Sequence, residues 1–448
     1  MFGTGEMLAL LAIMLLMVFA GVHVAVALGA GAVAGIYMMH GDINVVRAFI
    51  AGTAYEALRD YVFAVIPLFM LMGEFLAKCG AARDLFALIN RLMRRLPGRL
   101  ALATVLANAV FAFVTGVSIA AAAAFSRIAY PEMKRYGYER KFALGCIAGS
   151  ACLGMLIPPS VLMIVWGVLT EQAIGKIFIA GILPGFVLVA FYCAYILGVA
   201  WLQPERVGAG VRPAGEVPEP EMTAGEFRDI LVSTLLVLAL IAATLGGIWL
   251  GFFTPTEGAG VGAALALLLA IWKGMRTKEL FEVVLSVGRT SAPLLLLLFC
   301  AQLYSRVLSM TGVTNAAKEF FIASGLGPYE VLAIMVAIWF VLGCLIDSIS
   351  IILLTVPVFA PIAMALGFDP LAFAILGILA IETGLLTPPF GMLVFTVKAA
   401  VPQEGTVGEI FRGSIPYWIS LLCVIVVIAA FPQIATWLPG VGTAVAKG

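Results

Sequence analysis

The residues that could do chemistry come in two copies. The peptide GMLIPPS at 154–160 returns as GLLTPPF at 384–390, an offset of 230 residues. The same offset carries Ser118 to Ser348, Pro131 to Pro361, Gly137 to Gly367 and Tyr138 to Phe368. The first copy gathers Phe113, Thr115 and Ser118 with Gly154, Ile157 and Pro159; the second gathers Gly343, Asp347, Ser348 and Ser350 with Gly384, Thr387 and Phe390. Proline removes an amide donor and interrupts a helix, so each double proline frees backbone carbonyls. Those carbonyls, the hydroxyls and one carboxylate are hard oxygen ligands of the kind a small hard cation takes. Helix ends at the breaks add their own field, N-termini favouring anions and C-terminal carbonyls favouring cations. Any single glycine here could merely permit close helix packing. The duplicated set points to binding.

Asp347 is an ionisable residue in an apolar run, open to two roles: holding substrate, or capping the helix that begins at Ser348. Glu382, two residues before Gly384, could sense the cation, or could be protonated or surface-facing. Arg127 could snorkel to the membrane surface or reach a substrate. His23 and His40 have no partner at metal-ligand spacing and read as structural. The seven cysteines show no CxxC spacing, which predicts packed thiols, no disulfide framework and no transition-metal site. There is no GxSxG, HExxH or glycine-rich phosphate loop, so neither an enzyme nor an ATPase is expected. A net charge of +1 gives nucleic acid no reason to bind.

The elements that must position these residues are membrane helices. The chain is 63% hydrophobic and 11% charged, with mean hydropathy +1.12; these values exclude a soluble globular protein. An apolar N-terminus without a basic leader is not a cleavable signal. Apolar runs predict spans at 7–20, 24–39, 60–78, 139–171, 176–202, 229–251, 255–272, 289–310, 371–400 and 414–438, with 139–171 and 371–400 broken at the double prolines. Two further stretches, about 103–131 and 329–362, are interrupted at Thr115-Gly116 and Asp347-Ser348. Both flanks of the first are basic (Arg83, Arg91, Arg94, Arg95, Arg99; Lys134, Arg135, Arg140, Lys141) and both flanks of the second are nearly free of Lys and Arg. Basic loops stay cytoplasmic, so each stretch predicts a re-entrant hairpin, one from either face. Ten crossings then put both termini in the periplasm, with 16 of the 26 Lys and Arg residues on the inner side and five outside. The expected fold is an all-α integral membrane protein with an inverted repeat: 1–202, a polar cytoplasmic linker at 203–228, and 229–448. Ala81 to Leu96 suits an amphipathic helix along the inner surface.

Paired broken spans in two inverted halves are a signature of secondary transporters. TGVSIAAAAAFSRIAYPEMKRYGY (115–138), GMLIPPS, IGKIFIAGILPG (174–185), GFFTPTEGAG (251–260), LGCLIDSISIILLTVPVFAPIAMALGFDP (342–370) and IETGLLTPPFG (381–391) together resemble the large membrane subunit of the tripartite ATP-independent periplasmic (TRAP) transporters, in family order along nearly the whole chain. That resemblance implies a sodium-coupled elevator-type symporter of the bacterial inner membrane, fed by a periplasmic substrate-binding protein and braced by a small membrane subunit on a separate polypeptide. The cargo would be an organic acid, C4-dicarboxylates first, then sugar acids and other carboxylates. One sodium site would use Gly343, Gly384, Thr387 and Phe390, the other Phe113, Thr115 and Ser118 with Gly154, Ile157 and Pro159. Substrate would meet Thr115, Ser118, Pro158, Asp347, Ser348, Ser350 and Pro388. Sodium is the one bound ion expected, and no cofactor. The scaffold would comprise the first two spans, the surface helix, 176–202 and 229–251. The chain departs from the family at its first tip, Thr-Gly-Val-Ser where Ser-Gly-Ser-Ser is frequent, and at Arg127. The alternative is a stand-alone sodium/anion symporter of related elevator fold.

Overall fold

The computed structural model describes residues 12–18, 20–208, 223–323 and 325–445. The first half runs α1 (12–18), α2 (Val24–His40), α3 (Ile43–Arg59), α4 (Val65–Lys78) and α5 (Ala81–Leu92), then α6 (Arg99–Thr115), α7 (Ser118–Arg135), α8 (Arg140–Ala151), α9 (Leu153–Leu156), α10 (Val161–Thr170) and α11 (Ile174–Leu202). The second runs α12 (Ala224–Trp249), α13 (Pro255–Trp272), α14 (Thr277–Thr311) and α15 (Val313–Ala323), then α16 (Pro328–Gly343), α17 (Ser348–Ala365), α18 (Pro370–Gly384), α19 (Met392–Ala400), α20 (Val407–Ala430) and α21 (Gln433–Val445). Among the described residues, eight helical segments are long and apolar enough to cross a membrane.

The helices start where the sequence supplies caps. Thr223, Thr254 and Thr406 each accept from the N–H three residues on while Glu226, Glu257 and Glu409 reach back, closing capping boxes at α12, α13 and α20. Asp369 caps α18, with Pro370 in the first turn where its missing N–H costs nothing. The double prolines open the breaks between α9 and α10 and between α18 and α19, and both Pro-Pro bonds are cis.

Packing sorts the helices into two bodies. α4 lies along α13, α2 along α14, and α12 against α13 and α5, forming one frame. The helix pairs α6–α7 and α16–α17, both broken helices, α11 and α20 form the other. The halves interlock: α10 of the first half packs on α17, and α19 of the second packs on α7. Trp166 of α10 meets Trp339 and Phe373 of the second half at ring-centroid distances of 5.9 Å each. At the opposite end Tyr130 donates to Glu404 at 2.9 Å and Lys134 pairs with the same carboxylate. The Lys134 hydrogen bond holds Glu404, in the loop after α19, below the usual carboxylate range.

Several expectations are corrected. The segment 176–202, placed in the scaffold, packs as α11 against α20, α18, α6 and α9 and belongs to the second body. The single span 414–438 is two helices, because the chain turns extended at Phe431 (φ −129°) before Pro432. α14 begins at Thr277 rather than 289, and α3 and α15 occupy stretches given no span. The surface helix ends at Leu92, with Leu85 and Phe86 buried. Helix α12 already runs from Ala224, inside the expected linker; the rest of that linker over 209–222, and the part of the first span before residue 12, lie outside the described residues.

Candidate substrate and cation site

Each helix pair turns at a tip pressed against the break of its own half. In the first, Gly116 adopts φ +60°, and a Cβ there would stand 2.3 Å from the Pro159 carbonyl oxygen. The Val161 N–H donates to the Gly116 carbonyl at 3.2 Å. Gly154 passes so close to Ser118 that a Cβ would lie 3.1 Å from its Cα. In the second, Gly343 and Gly384 cross with a built Cβ on Gly384 only 2.5 Å from the Gly343 Cα, and the Phe390 N–H donates to the Cys344 carbonyl at 3.1 Å. Glycine is required at these crossings because no other residue lets two backbones approach so far.

Thr387 donates its hydroxyl to the Gly384 carbonyl at 2.9 Å, with Cys344 Sγ 2.8 Å from the same hydroxyl. The residues named for the second cation site therefore meet in space, Phe390 through its backbone, since its side chain is exposed. For the first, Thr115, Ser118, Gly154 and Pro159 converge on one tip, Ile157 packs instead on Gly185 of α11, and Phe113 sits in the last turn of α6 with its ring packed on the core. The Thr115 hydroxyl is turned back to the Phe111 carbonyl at 3.1 Å.

Glu382 joins the two tips. It is 1% exposed, accepts from the Ser118 hydroxyl at 2.7 Å and receives a longer contact from Ser348 at 3.4 Å. Its counterpart at the repeat offset is Cys152, whose thiol faces the Glu382 carbonyl at 3.8 Å. The carboxylate thus lies where the two halves meet, and of its three sequence readings the surface-facing one is excluded. The Cys152 position shows that the repeat supplies one such acid, not two.

Between the two bodies lies a cavity of about 810 Å³. Of the residues expected to meet substrate, Thr115, Ser118, Asp347, Ser348 and Ser350 line it, whereas Pro158 and Pro388 do not. Pro158 is buried behind the first tip and Pro388 is exposed elsewhere. Ser118, Val161, Ser348 and Met392, the first residues of α7, α10, α17 and α19, all face the cavity, so four positive helix ends converge on it. Asp347 takes the capping role: it accepts from the Ser350 N–H at 3.0 Å and from the Ser350 hydroxyl. Its counterpart at the repeat offset is Val117, and α7 consequently has no side-chain cap. Arg127 is exposed and is not among the lining residues. His23 caps α2 through Nδ1 at 3.3 Å and also lines the cavity.

The sequence reading missed Glu74 of α4, which lines the cavity. A carboxylate within an apolar span was the signal that could have found it. Next to it, Gly73 lets α4 approach the first tip, with a built Cβ 2.8 Å from the Val114 carbonyl oxygen.

A family model described as tripartite ATP-independent periplasmic transporter, DctM component, matches residues 11–434. The chain is 33% identical to the C4-dicarboxylate TRAP transporter large permease protein DctM of Pseudomonas aeruginosa, over 86% of this chain and 88% of that one. It is 30% identical to the ectoine/5-hydroxyectoine TRAP transporter large permease protein UehC of Ruegeria pomeroyi, over 95% and 96%. It is 26% identical to the sialic acid TRAP transporter large permease protein SiaM of Vibrio cholerae, over 87% and 89%. Among solved structures, the Alcanivorax borkumensis YdaH transporter shares the fold with a TM-score of 0.62 at 15% identity, over 89% of each chain.

Proposed function

The chain belongs to the DctM component family of the tripartite ATP-independent periplasmic transporters, and from that membership we propose that it is the sodium-coupled subunit through which an organic acid enters the cell. As a large permease of this family it is a multi-pass protein of the bacterial inner membrane. A periplasmic binding protein delivers the cargo and a small membrane subunit braces the frame. The carboxylate-bearing cargos named for the relatives, C4-dicarboxylate, ectoine and sialic acid, set the range.

One observation carries this reading: the cavity is bounded by both tips and by four helix N-termini, of which those of α7 and α19 lack a side-chain cap. The first N–H groups of an α-helix have no partner within it, and Ser118, Ile119 and Ala120 of α7 face the cavity. A substrate carboxylate takes there the place that Asp347 fills in the other half. Sodium is held by the carbonyl and hydroxyl sets around Gly384 and Gly154, close to the charge of Glu382.

The helix pairs α6–α7 and α16–α17 serve as re-entrant hairpins, and the body that carries them slides against the frame as an elevator. With the basic loops inside, the turn at 21–23, Glu74 and Ser286, all of which line the cavity, lie toward the cytoplasm. This conformation is then the inward-facing one. The test is uptake of a labelled organic-acid panel by proteoliposomes holding the chain, its small subunit and its binding protein, under separate sodium, potassium and proton gradients. Sodium alone should drive accumulation; equal uptake in sodium-free gradients sinks the assignment.

A further inference from the structure

The charges around the cavity are unequal on its two walls, and this limits what the cavity can hold. The moving wall presents the N-termini of α7 and α19, neither with a side-chain cap, and that of α7 brings Ser118, Ile119 and Ala120 to the cavity as a place for a carboxylate. The wall formed by the frame presents Glu74. Among the described residues Glu74 has neither a hydrogen-bond nor an ion-pair partner. Lys78, one helical turn further along α4, is turned away to Glu282 at 3.9 Å. No Lys or Arg is among the described residues lining the cavity, and His23, whose Nδ1 is committed to the α2 cap, is the one other lining side chain able to carry a positive charge.

A second carboxylate on the cargo would be brought toward Glu74 with no basic side chain between them. Like charges brought together out of water repel strongly, and specificity is often built from such a repulsive element. Asp347 does not change this balance in the same way, because its charge is engaged by the start of α17 and by Ser350. Glu74 is the uncommitted acid.

We infer that the cargo is a zwitterion, an organic acid that also carries a cationic nitrogen, with its carboxylate at the start of α7 and its nitrogen toward Glu74. The inference rests on the organic-acid reading above and narrows it. Because Glu74 stands on the frame and the α7 terminus on the moving body, the two ends are recognised together in this conformation, and the Glu74 contact is released when the bodies slide. Glu74 therefore sets both which cargo is accepted and how firmly it is held on the inner side.

The test measures binding to the full-length chain in lipid nanodiscs, in sodium, by calorimetry. The probes are length-matched triplets in which one end group alone differs: an ω-amino acid, an α,ω-dicarboxylate and a monocarboxylate, such as 4-aminobutanoate, glutarate and butanoate, extended to cyclic and N-alkylated members. The best-bound triplet should favour its zwitterion at least ~10-fold over its dianion, the scale of one hydrogen bond to a charged group. Glu74→Gln should erase that preference by weakening the zwitterion while leaving the monocarboxylate within about twofold, and Glu74→Asp should restore part of it. A dianion that binds tightest, or a Glu74→Gln variant that weakens zwitterion and dianion equally, overturns the inference while leaving organic-acid binding intact. Failure of every probe to bind in sodium rejects the organic-acid reading itself, and this inference with it.

Discussion

Removing the charge of Glu382 should separate a cation-binding role from a packing role. The carboxylate is buried between the tips, with the Ser118 hydroxyl at 2.7 Å and the Ser348 hydroxyl at 3.4 Å. No Lys or Arg pairs with it among the described residues. A cation held about 5 Å from it, at an effective dielectric near 20, would gain roughly 3 kcal/mol, about two orders of magnitude in affinity. The bond to Ser118 adds a second effect: by drawing that hydroxyl's proton it leaves the oxygen lone pairs free for the proposed first cation site, a net contribution of ~1.5–3 kcal/mol for a hydrogen bond to a charged group. Glu382→Gln keeps the volume and one acceptor but loses the charge. Its half-saturating sodium concentration for uptake should rise by roughly 30- to 100-fold. Folding stability should hold or increase, because an unpaired buried charge costs free energy that a neutral amide avoids. Sodium titration of uptake, beside thermal unfolding of the same preparations, gives both numbers. Unchanged sodium dependence with a large loss of stability would refute the reasoning and leave Glu382 a structural bridge between the tips.

Thr387→Ala removes the hydroxyl bonded to Gly384 and Cys344 and should raise the sodium requirement about tenfold, whereas Thr170→Ala, which loses a similar hydroxyl-to-carbonyl bond to Trp166 at 2.8 Å, should leave it unchanged in the same uptake assay. Gly116→Ala places a Cβ against the Pro159 carbonyl at positive φ and should cost about 2 kcal/mol or more in thermal stability; wild-type melting would show that the tip is free to move. Asp347→Ala removes the α17 cap and should cost ~1 kcal/mol, with Asp347→Asn recovering most of it, as read by denaturation. Single cysteines at 111–118 and 345–350 on a cysteine-free background should change their labelling from each side when sodium and cargo are added; reactivity indifferent to both would argue for a static pore.

The sequence by itself determined the class of protein and the ingredients of its site. Apolar runs long enough to span a bilayer leave few folds that satisfy every backbone group, and an offset of 230 residues shared by prolines, glycines and serines marks a duplication whatever the helices do afterward. Local chemistry also fixed where helices start and stop, since Asp347, Thr254 and Thr406 act on N–H groups within three residues. Tertiary structure alone decided which residues face one another. Glu382 meets Ser118 across 264 positions of chain, a contact that no periodicity encodes. The exclusion of Pro158 and Pro388 from the cavity lining and the packing of α11 with the second body depend on which face of an almost uniformly apolar helix is covered. When every face is apolar, hydrophobic pattern no longer tells inside from outside, and close packing through small residues decides the partner. For the same reason Glu74 reads in the sequence as one acid in a span, and it becomes informative because the cavity brings it together with a bare helix end.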